Sequence, residues 1–172
     1  MAHGIRIQPG AKVRFSEINP ESDAGLSKEE GLAIIQEKGA RLAELQELMF
    51  AAGKHSLLVV FQGRDTAGKD GAINRVLEFT NVQSSRVVGF KVPTEEELSH
   101  DFLWRVHAKT PGKGGITLFN RSHYEDVLVV RVHDIVPEAV WRPRYDQINA
   151  FESLLTSNQT ILVKLCLQIS MD

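Results

Sequence analysis

Hydrophobic residues along this chain recur in two alternating patterns, which together predict a mixed α/β fold. A helical stripe covers residues 28–52, with apolar side chains three or four positions apart, and Gly53 ends it. Four apolar runs have the length of buried strands: residues 57–61, 87–90, 116–119 and 160–167. Helical patterns separate these runs: residues 71–77, 94–106, 122–132 and a segment opened by Pro143. This alternation predicts a parallel sheet covered by helices on both faces.

The chain divides into an N-terminal arm and one core domain. Residues 1–27 contain Pro9, Gly10 and Pro20 with few periodic apolar positions, so we expect an irregular arm there. A chain of 172 residues has the usual size of one domain. No repeat, low-complexity tract or linker interrupts residues 28–172, which are therefore predicted to form a single core.

A glycine loop follows the first predicted strand. Residues 63–70 read GRDTAGKD, between the apolar run 57–61 and the helical pattern 71–77. Strand, glycine loop, lysine and helix form the layout of a phosphate-cradling P-loop. Backbone N–H groups and the positive end of the helix dipole would face the same anion, and Lys69 adds a full charge. An ordinary glycine-rich turn between strand and helix is the alternative interpretation.

Two carboxylates in this loop predict a metal ion. Asp65 lies inside the loop, and Asp70 stands where P-loops usually carry Ser or Thr. Carboxylates repel phosphate unless a cation lies between them. The loop itself therefore favours magnesium-bound phosphate.

The end of the third predicted strand supplies further polar residues. Asn120 and Arg121 end that strand, and Glu125 and Asp126 follow. Ligands bind at the carboxyl ends of parallel strands, so Arg121 is placed to neutralise a transferring phosphoryl group. The alternatives are a surface arginine and an ordinary acidic first helical turn. The histidines do not share metal-ligand spacing, and we expect them to be structural or solvent-facing.

Composition narrows the choice of partner and compartment. The net charge is −2, so a polyanion must be met by a local patch. The chain has no basic tail, and Trp104 and Trp141 lack interleaved basic residues, which argues against nucleic acid. The single cysteine, Cys166, is predicted to be buried in a strand, and one cysteine fits a reducing compartment. Without a membrane-span pattern or a signal peptide, the sequence predicts a cytoplasmic enzyme with no membrane partner.

Three segments in order carry a family resemblance. Residues 58–71 (LVVFQGRDTAGKDG), 90–105 (FKVPTEEELSHDFLWR) and 119–128 (FNRSHYEDVL) resemble motifs of the family-2 polyphosphate kinases. The resemblance implies a three-layer αβα P-loop kinase fold with a parallel sheet. It also implies phosphoryl transfer from inorganic polyphosphate to a nucleotide, reversible in principle, with Mg2+.

The same resemblance implies roles for particular residues. Phosphate binding would involve Gly63, Thr66, Ala67, Gly68, Lys69, Asp70, Gly71, Lys91 and Arg121. The catalytic set would be Asp65, Lys69, Arg121 and Glu125, and the metal-binding residues would be Asp65 and Asn120. Asn120 together with Glu125 is similar to the subgroup that phosphorylates both AMP and ADP, yielding ADP and ATP. For Lys91 the alternative is a solvated lysine at a strand end.

Other functions and an assembly state remain open at this point. Family members continue past the fourth strand into a helical lid, so the resemblance implies a core truncated before that lid. The alternative functions are an ATP-dependent nucleoside monophosphate kinase and a non-catalytic fragment that binds nucleotide or polyphosphate. The wide apolar stripe over residues 28–52 favours a homo-oligomer.

Overall fold

A four-stranded parallel sheet forms the centre of the molecule. The structure is a computed structural model and describes residues 4–22 and 24–169. The strands are β1 (Ser56–Gly63), β2 (Ser85–Gly89), β3 (Ile116–Asn120) and β4 (Thr160–Leu167). Their order across the sheet is β2-β3-β1-β4, with every neighbouring pair parallel. The predicted parallel sheet is confirmed.

Helices cover both faces of the sheet and complete three layers. The helices are α1 (Lys28–Ala52), α2 (Lys69–Leu77), α3 (Glu95–Leu98), α4 (Trp104–His107), α5 (Glu125–Val132), α6 (Glu138–Trp141) and α7 (Arg144–Ser157). Alternate side chains of β1 lie on opposite faces of the sheet and belong to two hydrophobic clusters. Val59 and Phe61 pack with α2, whereas Leu58 and Val60 pack with α4 and α7. The three-layer αβα fold predicted from the sequence is confirmed.

Local signals set several helix boundaries. Ser27 caps α1 by accepting a hydrogen bond from the Glu30 backbone NH, and the Glu30 carboxylate accepts one from the Ser27 NH. Gly53, with φ +56°, ends α1 in the left-handed conformation. Thr94 and Glu97 form the predicted capping box of α3. The bounds of α1 agree with the predicted helix over 28–52.

The predicted helix over residues 94–106 was wrong, because the chain breaks there into α3 and α4. The Asp101 side chain accepts a hydrogen bond from the Leu103 NH at 3.0 Å, and the Ser99 hydroxyl donates to the Glu96 carbonyl at 2.8 Å. These short polar side chains offer the backbone partners that compete with helical hydrogen bonds.

The predicted burial of Cys166 was also wrong, because its side chain is exposed. Strand β4 forms an edge of the sheet, and Cys166 lies opposite Gln62 near the carboxyl end of that strand. Apolar character in the run 160–167 indicated a strand correctly, but it did not reveal that this strand borders the sheet. Edge strands leave side chains uncovered that a central strand would bury.

Part of the apolar stripe of α1 faces outward. Leu45 and Leu48 are 47% and 63% exposed, whereas Met49 packs against the sheet. The homo-oligomer predicted from this stripe stays a prediction. Among the described helices, none combines the length and the apolar content needed to cross a bilayer. The cytoplasmic location and the division at residue 27 likewise stay predictions.

Candidate active site

The register of the sheet brings the predicted site residues together at the carboxyl ends of the strands. Asn120, at the end of β3, lies opposite Phe61 of β1 and Gly89 of β2. Gly63, at the end of β1, lies opposite Leu167 of β4. The glycine loop and the turn after β3 therefore begin side by side at the carboxyl ends of neighbouring strands.

The glycine loop joins β1 to α2 through a left-handed backbone. Thr66 and Gly68 have φ values of +66° and +84°, and Lys69 begins the helix. A Cβ at Gly63 would meet the Leu167 carbonyl oxygen at 2.8 Å, closer than side chains normally approach. Gly63 is thus required by the close approach of β4, in addition to any role with phosphate. Thr66, Ala67 and Gly68 form the loop, and Asp70 and Gly71 lie in the first turn of α2.

The Lys69 ammonium lies within the loop. It donates hydrogen bonds to the carbonyl oxygens of Gly63 at 2.8 Å and Arg64 at 2.7 Å. The residue is 8% exposed, so these carbonyl groups compensate for much of its lost hydration. An anion in the loop would meet a buried, oriented cation.

Arg121 connects the turn after β3 to the glycine loop. Its guanidinium forms an ion pair with the Asp65 carboxylate and lies 3.4 Å from Glu125 Oε2. Its backbone has φ +64°, and its NH donates to the Phe61 carbonyl at 3.1 Å. The structure therefore brings Asp65, Arg121 and Glu125 together.

A second link joins the two halves of the site. The Asn120 side-chain NH2 donates to Asp70 Oδ1 at 2.5 Å. Asn120 stands at the end of β3, and Asp70 lies in the first turn of α2. The two predicted metal-binding residues thus lie on opposite sides of this junction, Asn120 on β3 and Asp65 in the loop.

The oxygen-bearing side chains at this edge suit a hard cation shared with a ligand. Among the described residues, no group of three or more His, Cys, Asp or Glu side chains could hold a metal by itself. Asp65, Asp70 and Asn120 offer carboxylate and amide oxygens, and Asp65 is strongly exposed. Mg2+ typically takes one or two carboxylates together with phosphate oxygens and water, which fits this donor set.

Sequence comparison identifies the family. The family model "Polyphosphate kinase 2 (PPK2)" matches residues 25–172. The chain belongs to the polyphosphate kinase 2 family. It is 44% identical over 169 residues to AMP/ADP-polyphosphate phosphotransferase of Meiothermus ruber, covering 97% of this chain. It is 42% identical over 181 residues to ADP-polyphosphate phosphotransferase of Rhodopseudomonas palustris, covering 98% of this chain.

A solved structure of the same family has the same fold. The crystal structure of polyphosphate kinase 2 from Arthrobacter aurescens TC1 superposes with a TM-score of 0.89 at 43% identity, covering 96% of this chain. The P-loop kinase fold predicted from the sequence is therefore confirmed. This chain spans 63% of the length of each of the two curated relatives and 60% of the crystallised chain.

In this PPK2 chain, Lys91 is not joined to the glycine loop. The Lys91 side chain is exposed. In the described ranges, no ion pair connects it to the glycine loop or to the turn after β3. Its carbonyl accepts a hydrogen bond from Arg105 at 2.9 Å, and Arg105 also pairs with Glu97 at 3.3 Å. Arg105 therefore anchors the segment that carries Lys91.

Gln62 joins β1 to the turn after β3. Its amide is satisfied when the nitrogen donates to Glu125 Oε1 at 3.0 Å and the oxygen accepts from the Ser122 hydroxyl at 2.9 Å. Ser122 is fully buried, and its hydroxyl oxygen also accepts from the Tyr124 NH at 3.2 Å. Gln62 and Ser122 thus fix the carboxylate of Glu125 beside Arg121.

A partly buried polar cluster lies next to this turn. We call it the Glu152 cluster, comprising His123, Tyr124, Glu152 and Lys164. Burial tends to raise the pKa of Glu152, but hydrogen bonds from His123, Lys164 and Tyr124 outweigh it and lower that pKa to about 2. Burial and the hydrogen bond to Glu152 raise the pKa of Tyr124 to about 12. The cluster thus keeps a carboxylate charged and a phenol protonated across the neutral pH range.

Sequence reasoning missed several of these positions. Gln62, Ser122, Glu152 and Lys164 received no role, and their signals were weak. Lys164 is the one charged residue within the apolar strand run 160–167. Glu152 sits between apolar positions in the pattern of α7, next to Phe151. A charge within an otherwise apolar strand or helix pattern is the signal that could have indicated Lys164 and Glu152.

Proposed function

We propose that this chain transfers a phosphoryl group from inorganic polyphosphate to AMP or ADP, with Mg2+ as the cation. The observation that carries the proposal is the meeting of Lys69, Arg121 and Asp65 at one sheet edge in a chain of the PPK2 family. The names of the Meiothermus ruber and Rhodopseudomonas palustris relatives, with AMP/ADP and ADP as nucleotides, support the same substrates.

Phosphoryl transfer requires little covalent chemistry from the protein. Its transition state spreads negative charge over the transferred group, and positioned cations stabilise that charge. Lys69 would exchange its two carbonyl partners for phosphate oxygens of the polyphosphate chain. Arg121 would exchange its pairing with Asp65 for the oxygens of the transferring group.

The carboxylates have a different task. Asp65 and the amide oxygen of Asn120 would hold Mg2+, which supplies charge neutralisation at bridging phosphate oxygens. Once Asp65 faces a cation, its attraction for Arg121 weakens, and the guanidinium becomes available to phosphate. Glu125, held by Gln62, would fix the direction from which Arg121 approaches.

Nucleotide analysis tests this function. The purified chain is incubated with Mg2+, polyphosphate and either AMP or ADP, and the products are separated. We expect ADP from AMP and ATP from ADP only when polyphosphate is present. Lys69→Ala and Asp65→Ala should each reduce the rate by at least about a hundredfold, because each removes a group that faces the transferred phosphate.

Lys113→Ala is the matched control. Lys113 donates a hydrogen bond to the carbonyl of Asn158, just before β4 begins, at the amino ends of the strands. This variant should keep the wild-type rate. Full activity in both site variants would contradict the proposal. Product formed from AMP with ATP but not with polyphosphate would indicate a nucleoside monophosphate kinase. Binding of polyphosphate without any product would indicate a non-catalytic fragment.

A further inference from the structure

We propose that Glu152 is a positioning residue for phosphoryl transfer. It contacts none of the residues assigned to phosphate, yet it holds the turn that presents Arg121 and Glu125. This inference rests on the proposed function, because it assigns a task to a residue outside the phosphate site.

Glu152 joins three elements through both carboxylate oxygens. Its Oε1 accepts from the Tyr124 hydroxyl at 2.6 Å and lies 3.3 Å from His123 Nε2. Its Oε2 accepts from the Lys164 ammonium at 2.7 Å. Lys164 also donates to the Tyr124 hydroxyl oxygen at 2.9 Å. One carboxylate of α7 is thus bound both to β4 and to the turn between β3 and α5.

The turn needs such support because its backbone is unusual. Arg121 has φ +64°, a left-handed conformation that residues other than glycine rarely adopt. His123, two residues further on, is fully buried, and its ring packs on Phe151 with centroids 5.7 Å apart. Fixing His123 and Tyr124 therefore limits the directions in which the Arg121 side chain can leave the turn.

Apolar side chains could also fill the space around Glu152, which is 8% exposed. A carboxylate with three donors, however, fixes the direction of each donor, which apolar contacts do not. The Glu152 cluster therefore suits a task that depends on orientation, such as aiming a guanidinium at a phosphate.

The protonation of His123 follows from the same contacts. Glu152 is a carboxylate and can only accept, so Nε2 of His123 carries the proton in this pair. His123 Nδ1 is buried and has no hydrogen-bond partner among the described residues. The contact with Glu152 therefore fixes Nε2 as the donor and orients the ring. This hydrogen bond gives the cluster a signature in the NMR spectrum of the imidazole.

A double-mutant cycle tests whether Glu152 acts through Arg121. Dissociation constants for tripolyphosphate with Mg2+ are measured for the wild-type chain, Glu152→Gln, Arg121→Ala and the double variant. We expect Glu152→Gln to weaken binding about tenfold, and about twofold at most once Arg121 is absent, because interacting residues are not additive. Combined with Lys69→Ala, the same substitution should keep its full effect.

Two further variants guard against a trivial loss of structure. Asp146→Asn removes an exposed carboxylate from the same helix and should leave the dissociation constant unchanged. Tyr124→Phe removes one donor to Glu152 with almost no change of shape, so it replaces Glu152→Gln in the cycle should that variant unfold. In the NMR spectrum, the signal of the His123 Nε2–H proton should shift in Glu152→Gln, because an amide oxygen is a weaker acceptor than a carboxylate.

The outcomes separate the two proposals. Tight binding by the wild-type chain together with additive losses from Glu152→Gln and Arg121→Ala would overturn the positioning role alone. An unchanged dissociation constant in Glu152→Gln would overturn it as well. A wild-type chain that does not bind tripolyphosphate would contradict the proposed function, and this inference with it.

Discussion

The charged side chains at the site are paired with other protein groups in this structure. Lys69 faces two carbonyl groups, Arg121 faces Asp65 and Glu125, and Asp70 accepts from Asn120. Ligand binding would therefore exchange partners instead of burying new unpaired charges. A protein hydrogen bond makes a net contribution of only about 1 kcal/mol. The affinity for a ligand therefore depends on how well each new contact replaces the contact that is lost.

Acid should remove the stabilisation that Glu152 provides. Its pKa in the folded chain, about 2, lies below its ordinary value of 4.5. The contribution is therefore complete above pH 4.5, and it is lost as pH falls through 2. It should be on the order of 3 kcal/mol at neutral pH. The free energy of unfolding in urea should be lower for Glu152→Gln than for wild type at pH 7.

This difference between wild type and Glu152→Gln should shrink steadily as pH falls from 5 towards 2, because the Glu152 carboxyl of the unfolded chain takes up a proton near pH 4.5 while that of the folded chain stays charged down to about pH 2. Asp146→Asn, on the exposed side of α7, provides the comparison for loss of a charge without burial. A difference that stays constant over this range would show that Glu152 stabilises the fold through packing and not through its charge.

At the scale of elements, α1 comes very close to the residues after α2 at Gly39. A Cβ at Gly39 would lie 2.3 Å from the ring of Phe79, which follows α2. Gly39→Ala should lower the free energy of unfolding by about 1–3 kcal/mol, because overpacking forces the ring to move. Denaturation in urea measures the change.

Gly31 provides the control within the same helix. A Cβ there would meet nothing within 4 Å, so Gly31→Ala should raise the free energy of unfolding by up to about 1 kcal/mol through helix propensity alone. The two substitutions are chemically identical and should have opposite signs. Stabilisation by both would mean that α1 does not rest on Phe79.

The sequence predicted elements best where the signals were local. The bounds of α1 came from periodicity together with Gly53, and the start of α3 came from Thr94 and Glu97. The short helix α6, Glu138–Trp141, was missed because one turn shows no periodicity. The break between α3 and α4 was missed because Asp101 acts on the backbone there through its side chain.

The site could be predicted in part for a physical reason. In a parallel sheet all strand ends of one kind meet, so a loop after β1 and a turn after β3 had to be neighbours. The partners of Arg121 and the Glu152 cluster include contacts between residues far apart in the sequence, such as Tyr124 with Glu152, 28 positions apart, and Asp65 with Arg121, 56 positions apart. Neither periodicity nor local spacing carries information about such pairs.

At the scale of the whole molecule, the direction of the parallel strands decides which end of the sheet carries the cationic site residues. The net charge is −2, yet Lys69 and Arg121 lie together at the carboxyl ends of the strands. Lys113 lies at the amino edge, where it pairs with the Asn158 carbonyl. Under the proposed function, Lys69 and Arg121 would attract a polyanion to the carboxyl ends of the strands once Mg2+ neutralises the neighbouring carboxylates.

Salt should reveal this arrangement. Polyphosphate binding should weaken steeply as salt rises, because each phosphate neutralised by a fixed cation releases a counterion. In a plot of log affinity against log salt concentration, Lys69→Ala should lower the slope by about one. Lys113→Ala removes the same charge from the opposite edge and should leave the slope unchanged. Equal slopes in both variants would mean that polyphosphate is attracted by the average charge of the surface. That result would contradict the assignment of the phosphate site to the carboxyl ends of the strands.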